Sequence, residues 1–243
     1  MSQRLDQLLV ERALADSREQ AKRLILAGEV TVEGVPNPKP GQKVPETAVI
    51  HIKEKPRHVS RGGLKLEAAL DTFGINVTDT VAIDIGASTG GFTDCLLQRG
   101  ALRVHAFDVG TNQLAWKLRQ DPRVLSREKF NCRDLSLADT GEPAGIVVID
   151  VSFISLTLIL GPAFSVLEKG GDLVCLIKPQ FELERDDIGK GGIVRDSALH
   201  RRAVSKIQEF VTARLNKAWC GVTDSPITGT DGNREFLAWL RHE

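Results

Sequence analysis

The feature of this sequence that most constrains its fold is the segment AIDIGASTGGFTDCLL at residues 82–97. An apolar strand carrying Asp84 runs into a glycine-rich turn, and a helix begins directly after that turn. Glycine lets a backbone pass close to a ligand, and the first N–H groups of a helix are free to donate to one. The segment therefore predicts a ligand-binding strand–turn–helix unit.

The rest of the chain from about residue 60 repeats the same alternation of strand and helix. The segments VAIDIG, RVHAFDVG, AGIVVIDVS and GDLVCLIKP are apolar almost throughout, and helical segments separate them. Such strands are typical of a parallel sheet that helices cover on both faces. We therefore expect an α/β fold with a Rossmann-like, doubly wound sheet over residues 64–243.

The first 55 residues have a different pattern. Apolar residues at helical spacing predict helices over 3–13 and 18–27, with Ser17 as the N-cap of the second. Short alternating strands follow around Val30 and over 47–53. The pattern predicts a small α+β domain over residues 1–55, and the polar, proline-containing segment 56–63 is the expected linker.

Charge is distributed unevenly although the net charge is zero. Residues 1–65 hold 12 Lys and Arg against 8 Asp and Glu, while the remainder holds 20 against 24. A basic front domain on an acidic body suits an RNA-docking module joined to a catalytic domain. A chance asymmetry between two solvated surfaces would give the same numbers.

Several classes of protein are disfavoured by what the sequence lacks. The N-terminus has no apolar core of a secretory signal, and no segment has the length of a membrane span. The four cysteines are scattered, which argues against a metal site and a disulfide framework. We expect a cytoplasmic protein with no metal and no membrane partner; nothing in the sequence indicates its oligomeric state.

The glycine-rich turn allows three interpretations. A nicotinamide or flavin fingerprint needs glycine at position 88, where this chain has serine. Gly86, Ser88 and Gly90 match the G-x-S-x-G elbow of hydrolases, with His200 or His242 as late histidines, but that elbow normally follows several strands. The third interpretation is the first motif of S-adenosylmethionine-dependent methyltransferases, and Asp108 ends the next strand where it can bond ribose hydroxyls. We favour the third.

Longer motifs make the resemblance to one family specific. They are RLDQLLVERALADSREQAKRLILAGEVTVEG, HVSRGGLKLEAAL, LAWKLRQDPRV, IDVSFISLTLIL, LIKPQFE and SPITGTDGNREFL. Together with the glycine-rich turn they resemble the TlyA family of ribosomal RNA 2′-O-methyltransferases, which are often labelled haemolysins. The first motif is similar to the S4-type RNA-binding domain, and the others are similar to FtsJ-type methyltransferases.

The resemblance implies a Lys-Asp-Lys-Glu set of catalytic residues, which falls on Lys65, Asp150, Lys178 and Glu235. A ribose 2′-hydroxyl is a poor nucleophile, so a lysine that accepts its proton or stabilises the alkoxide is useful, and a carboxylate can orient that lysine. Asp150 and Lys178 each end an apolar strand, where an unpaired buried charge would be costly.

The resemblance also implies the cofactor and its contacts. S-adenosylmethionine is the expected methyl donor, and its expected contacts are the strand-end acids and the turn: Asp84, Gly86, Ser88, Thr89, Gly90, Gly91, Phe92, Asp108, Asp134 and Asp150. In the front domain Arg4, Arg18, Lys22 and Arg23 are expected to face RNA phosphate. Each could equally be an ordinary surface cation.

The expected function is ribose 2′-O-methylation of ribosomal RNA, with cytidine as the expected nucleotide and ribosomal RNA or ribosomal subunits as partners. Two alternatives stay open. One is an RNA-binding protein without catalysis, which the complete Lys-Asp-Lys-Glu set disfavours. The other is a cytolysin, as the haemolysin label suggests, for which the sequence offers no secretion signal or membrane span.

Overall fold

The structure is a computed structural model that describes residues 2–53, 56–189, 191–229 and 231–243. The chain divides into two compact units, Met1–Pro56 and Arg57–Glu243. Residues 57–63, predicted as part of a linker, lie in the second unit. There His58 is buried and the Val59 N–H donates to Asp94 Oδ2 at 2.8 Å. The segment is polar in sequence, so its packing against the second unit could not be predicted from hydrophobicity.

The first unit is a small α+β domain, as expected. Its elements are β1 (Ser2–Arg4), α1 (Leu5–Glu11), α2 (Arg18–Leu26), β2 (Val30–Val32), β3 (Lys43–Pro45) and β4 (Ile50–Ile52). Strand β1 pairs with β3 and β2 with β4, both antiparallel. The Ser17 hydroxyl accepts from the Gln20 N–H at 3.2 Å and caps α2. Apolar residues of both helices, including Leu5, Leu9 and Ile25, form its core.

The second unit alternates helices and strands. Its helices are α3 (Gly62–Phe73), α4 (Gly91–Gln98), α5 (Trp116–Arg119), α6 (Leu137–Thr140), α7 (Leu160–Ser165), α8 (Pro179–Glu182) and α9 (Ser197–Glu209). Its strands are β5 (Val81–Ile85), β6 (Arg103–Phe107), β7 (Val124–Arg127), β8 (Ala144–Ile149), β9 (Leu167–Ile177), β10 (Ala218–Asp224) and β11 (Phe236–Arg241).

These strands form one seven-stranded sheet in the order β10-β11-β9-β8-β5-β6-β7. Strands β5 to β9 run parallel, whereas β11 runs antiparallel to β9 and β10 antiparallel to β11. The strand order reverses direction at β5, which has β6 on one side and β8 on the other. The predicted α/β, Rossmann-like class is confirmed, with an antiparallel pair at one edge.

Both faces of the sheet are covered at its centre, which explains why its central strands are almost entirely apolar. On β8, Val147 and Ile149 belong to the cluster that includes α7 and α9, whereas Ile146 and Val148 belong to the cluster that includes α3 and α4. Neighbouring residues of a strand point to opposite faces. The hydrophobic core is therefore two layers with the sheet between them.

Two of the helical segments that separate the apolar strands form shorter helices than their apolar spacing predicts. In NQLAWKLRQ, residues 112–120, the helix is only α5, because Ala115 takes an extended backbone with a ψ of 138° and the helix begins after it. In ISLTLILGPAFSVL, residues 154–167, a 3₁₀ turn at Leu156–Leu158 precedes α7. The short strands β3 and β7 were not predicted, since three or four residues give too few alternations to detect.

The buried layer beneath β8 yields a stability prediction. Leu160 is fully buried, and Leu160→Ala should lower the free energy of unfolding by about 2–5 kcal/mol because it leaves a cavity. Leu158→Ala, at a residue that is 52% exposed, should change it by less than about 0.5 kcal/mol. Urea unfolding followed by tryptophan fluorescence reports this unit, since all three tryptophans lie in it. Equal effects of the two substitutions would contradict the described packing.

Candidate active site

The register of the sheet brings the polar strand ends to one edge. Ile85 pairs with both Ile149 and Phe107, so the residues after β5, β6 and β8 emerge side by side. Strand β11 is antiparallel, and its first residue, Phe236, pairs with Ile177 at the end of β9. Glu235 therefore reaches the same edge as Lys178 although it precedes its strand. In open α/β sheets ligands bind at this edge, where the strand order reverses.

Two lysine–carboxylate ion pairs lie at this edge. Lys65 Nζ is 2.6 Å from Glu235 Oε2, and Lys178 Nζ is 2.7 Å from Asp150 Oδ1. Those two oxygens have no aligned hydrogen-bond donor, so the contacts are ionic rather than directed hydrogen bonds. The four predicted catalytic residues are thus brought together as two pairs.

A second contact fixes the direction of one of these lysines. Lys178 Nζ donates a hydrogen bond to Ser152 Oγ at 2.8 Å. Both lysine side chains are about 10% exposed, and charges buried to that degree are costly unless they are paired. The edge therefore holds Lys178 between Asp150 and Ser152.

Both ion pairs line one cavity of about 280 Å³, here called the lysine cavity. Its other lining residues come from the start of α3, the glycine-rich turn and two loops: Ser60, Arg61, Gly62, Gly86, Ala87, Ser88, Thr89, Gly91, Phe92, Ser152, Ile227 and Thr228. The cavity is polar and acidic as well as basic, because each ammonium is opposed by a carboxylate.

A second cavity of about 340 Å³, the apolar cavity, adjoins the first. The two share Gly86, Ser88, Asp150 and Ser152. Apolar side chains make up much of the second cavity, and Asp108, Gln113 and Asn131 add polar groups; the apolar ones are Ile85, Phe107, Val109, Phe130, Val151, Phe153, Ile154 and Ile159. Together the cavities suit an elongated ligand with a flat apolar part and a charged part.

The glycines of the turn serve the packing of the protein itself. A Cβ on Gly90 would lie 2.3 Å from Leu118 Cδ1, and one on Gly86 would lie 2.5 Å from the Asp150 carbonyl oxygen. A Cβ on Gly91 would lie 2.4 Å from Ser60 Oγ. Both Gly86 and Gly90 have positive φ values, which glycine adopts without strain. The sequence suggests approach of a ligand as the reason for these glycines; the described contacts explain them by close packing.

Asp84 is a fully buried carboxylate beneath the turn. Its Oδ2 accepts a hydrogen bond from Thr93 Oγ1 at 2.6 Å, whereas its Oδ1 has no partner among the described residues. Burial raises the pKa of Asp84 to about 7, and the negative charge of Asp150 adds to the rise. Among the described residues, the Asp84 carboxyl group therefore has a hydroxyl partner but no cationic one.

Asp108 holds the turn rather than pointing free into solvent. Its Oδ2 accepts from the Ser88 N–H at 2.7 Å and its Oδ1 from the Gly110 N–H at 2.6 Å. Each carboxylate oxygen has a second lone pair, so Asp108 can still accept from a hydroxyl in the apolar cavity that it lines.

Not every predicted cofactor contact reaches these cavities. Asp134 is exposed at the end of a 3₁₀ turn, Cys132–Asp134, and lines neither cavity, although Cys132 lines the apolar one. Gly90 and Asp84 lie behind the lining. Asp134 stays outside because the 3₁₀ turn buries Cys132 and leaves Asp134 exposed to solvent.

Phe153, which was not among the predicted site residues, lines the apolar cavity. It is 91% exposed, takes a left-handed backbone with φ 63°, and lies 5.1 Å from the Phe181 ring. Strained backbone concentrates at functional sites. The only signal in the sequence is its position in IDVSF, three residues after Asp150.

The predicted RNA-facing cations of the first unit have partners of their own. Arg4 and Arg18 both contact the buried carboxylate of Asp6, at 2.9 and 3.1 Å, and hydrogen bonds led by Arg4 lower the pKa of Asp6 to about 2. Lys22 pairs with Glu19 at 2.7 Å, and Arg23 is exposed. Arg4 and Arg18 are each about half exposed.

Comparison with known proteins identifies the family. The family description "FtsJ-like methyltransferase" matches residues 58–242, and the description "S4 domain" matches residues 3–50. The 16S/23S rRNA (cytidine-2'-O)-methyltransferase TlyA of Mycobacterium tuberculosis is 43% identical over 240 residues, 98% of this chain and 89% of that protein. The chain belongs to the TlyA family of FtsJ-like methyltransferases. The resemblance inferred from the sequence motifs is confirmed.

Two further members of the comparison agree with the family assignment. Bacillus subtilis YqxC, named provisionally as an rRNA methyltransferase, is 51% identical over 241 residues, 98% of this chain and 85% of that protein. A solved structure of a Streptococcus thermophilus protein named provisionally as a hemolysin has a TM-score of 0.75 and 48% identity, covering 99% of this chain and 88% of that one. Among the described residues of this TlyA-family chain, no helix is long and apolar enough to cross a membrane.

The buried Asp84 gives a pH prediction. Because its pKa is raised to about 7 in the folded state, the folded protein keeps a proton that the unfolded chain loses near its ordinary pKa of 3.8. The free energy of unfolding should therefore fall as pH rises from about 4 to 8. The asparagine in Asp84→Asn cannot ionise, so the decrease in the free energy of unfolding between pH 4 and pH 8 should be smaller by about 2–4 kcal/mol in this variant.

Chemical denaturation at a series of pH values measures this effect. Asp186→Asn removes an exposed carboxylate and should give a curve parallel to that of the original protein. Identical pH curves for the original protein and Asp84→Asn would rule out the described burial of Asp84.

Proposed function

We propose that this TlyA-family protein transfers a methyl group from S-adenosylmethionine to the 2′-hydroxyl of a cytidine ribose in ribosomal RNA. The observation that carries the proposal is the pairing of Lys65 with Glu235 and of Lys178 with Asp150 in one cavity. The names of the relatives supply the nucleotide and the RNA class. The S4 domain at residues 3–50 supplies an RNA-binding module.

The residues at the edge fit S-adenosylmethionine. The apolar cavity, with Phe107, Val109 and Ile159, would hold the adenine, and Asp108 would accept from ribose hydroxyls. The unpartnered oxygen of Asp84 and the nearby Asp150 leave the edge acidic, which complements a ligand that carries ammonium and sulfonium charges. When bound, this cofactor supplies a methyl group on positively charged sulfur, already activated for transfer.

The work left to the protein is to orient and activate the ribose hydroxyl. Lys178 is held in place by Asp150 and Ser152, so its Nζ can accept a hydroxyl proton if neutral or stabilise the forming alkoxide if charged. The Lys65–Glu235 pair lines the same cavity and would hold the ribose in line with the methyl group.

The exposed Phe153 would support the base of the target nucleotide. Its ring is almost fully exposed at the rim and is backed by Phe181. RNA enzymes commonly hold unstacked bases on aromatic side chains. In the first unit, Arg23 and the exposed parts of Arg4, Arg18 and Lys22 would contact phosphates.

The alternatives have less support. A hydrolase needs a base beside Ser88, yet no histidine lines either cavity in the described part of the chain. His242 Nδ1 instead contacts the Leu167 carbonyl oxygen at 2.8 Å. An RNA-binding protein without catalysis would not need two buried lysine–carboxylate pairs. The hemolysin label of one relative has no counterpart in the geometry of the site.

Substitution of Lys178 tests the catalytic assignment. Lys178→Ala should lower the rate of methyl transfer to ribosomal RNA by about 10²-fold or more, because it removes the group assigned to accept the hydroxyl proton or stabilise the alkoxide. Binding of S-adenosylmethionine should change little. Transfer of labelled methyl groups measures the rate, and calorimetry measures binding.

Lys169, an exposed residue earlier in β9, provides the matched control Lys169→Ala, which should transfer at the original rate. Full activity of Lys178→Ala would refute the role assigned to this lysine. Loss of both activity and cofactor binding would assign it to the cofactor instead.

Ligand-dependent melting tests the cofactor assignment. S-adenosylmethionine at a hundredfold excess over its Kd should stabilise the protein by about 2.7 kcal/mol, which raises the melting temperature by several degrees. Asp108→Ala should weaken binding about tenfold or more, whereas Asp134→Ala, at an exposed residue outside both cavities, should not. No stabilisation by the cofactor, or a larger effect of Asp134→Ala, would contradict this placement.

A further inference from the structure

Trp116 is unusual among the three tryptophans of this chain. Trp219 and Trp239 are partly buried, and the Trp239 Nε1–H donates to Asp172 Oδ1 at 2.8 Å. Trp116 is 73% exposed. Tryptophan is a large apolar side chain that is highly buried on average, so its exposure requires a reason.

The short helix α5 that carries Trp116 is anchored firmly from below. Leu118 is buried and packs against Gly90: a Cβ added to Gly90 would lie only 2.3 Å from Leu118 Cδ1. Leu114, just before the helix, packs at the same place. Trp116 lies two residues before Leu118 in this helix, about 200° around it, so it faces away from Leu118. Trp116 is therefore exposed because the packing of Leu118 fixes the orientation of α5.

The two neighbours of Trp116 fix its place beside the lysine cavity. The Ala115 N–H donates to the Thr89 carbonyl oxygen at 3.1 Å, and Thr89 lines that cavity. Lys117 Nζ contacts Asp94, whose Oδ2 accepts from the Val59 N–H at 2.8 Å. Residues 60 and 61, which follow Val59, also line the cavity. The segment that carries Trp116 is thus held beside two groups of cavity-lining residues, the glycine-rich turn and the start of α3.

We propose that Trp116 is a stacking platform for an unpaired nucleobase next to the methylated nucleotide in the RNA substrate. The inference rests on the proposed function, since it places the flanking nucleotide at the mouth of the same site. An indole face binds any nucleobase by stacking, so the contact positions RNA without selecting its sequence. The exposed cations Arg61 and Lys117 belong to the two segments that meet here and would complement the phosphates of the same strand.

Continuity with the lysine cavity favours RNA over a protein partner. Phe153 follows Ser152, which lines the lysine cavity, and Ala115 beside Trp116 is hydrogen-bonded to Thr89, which also lines it. Both exposed aromatic rings therefore belong to segments that border this cavity. An RNA loop with one base splayed toward the site leaves a neighbouring base unstacked. Trp116 would replace the stacking that this neighbour loses.

Kinetics with matched variants test the proposal. With saturating S-adenosylmethionine and varied ribosomal RNA, Trp116→Ala should raise KM for RNA by roughly tenfold, the size of one lost stacking contact, with kcat nearly unchanged. The Kd for S-adenosylmethionine should also stay unchanged. Trp116→Phe should keep most of the affinity, since it retains an aromatic face. Leu102→Ala, at a 55% exposed residue at the opposite edge of the sheet, should leave KM unchanged.

Fluorescence gives an answer that does not depend on turnover. A short single-stranded oligocytidine should quench the tryptophan emission of the original protein, and Trp116→Phe should abolish most of that quenching. An unchanged KM in Trp116→Ala, or undiminished quenching in Trp116→Phe, would overturn the proposal. A defect seen with assembled ribosomal subunits but not with naked RNA would also overturn it, in favour of a protein partner. If no RNA is methylated by the original protein, the proposed function fails and the quenching alone decides the role of Trp116.

Discussion

The site depends on the requirement that buried charges be paired. Lys65, Lys178 and Glu235 are buried and Asp150 is partly buried, and each ammonium group has a carboxylate partner. The antiparallel strand β11 makes one of these pairs possible, because it begins beside the end of β9 and brings Glu235 to the carboxyl edge of the parallel strands. The topology of the sheet therefore determines the electrostatics of the site: without β11 beside β9, the ammonium group of Lys65 would lack this partner.

At the same edge, one buried carboxyl group lowers the stability of the folded protein when it is ionised. Asp84 is fully buried with one oxygen unpartnered, and burial raises the pKa of this carboxyl to about 7. Such unfavourable burial is common where function, rather than stability, determines a residue. A ligand that brings positive charge to this edge would offset part of this cost, as the proposed cofactor S-adenosylmethionine would.

Much of the fold could be predicted from the sequence, because it follows from local pattern. The resemblance of the motifs to one family supplied the four residues that the structure brings together in the lysine cavity. Apolar strands flanked by helices predict the sheet, and polar residues at strand ends predict its edge, as with Asp150 and Lys178. The rest depends on contacts between distant residues. The engagement of Arg4 and Arg18 by Asp6 and the outward direction of Asp134 are properties of the folded chain. The tight packing around Gly90 is another such property. From the sequence, a glycine-rich motif indicates only that a ligand could approach closely.

We propose that the paired lysines serve methyl transfer to a ribose hydroxyl of ribosomal RNA. Nucleoside mass spectrometry of ribosomal RNA can decide this by comparing cells that contain the gene with cells that lack it. We expect 2′-O-methylcytidine at defined positions only in RNA from cells with the gene, and its return when the intact gene is restored. Identical ribose methylation in the two RNA samples would refute the proposed methyl transfer.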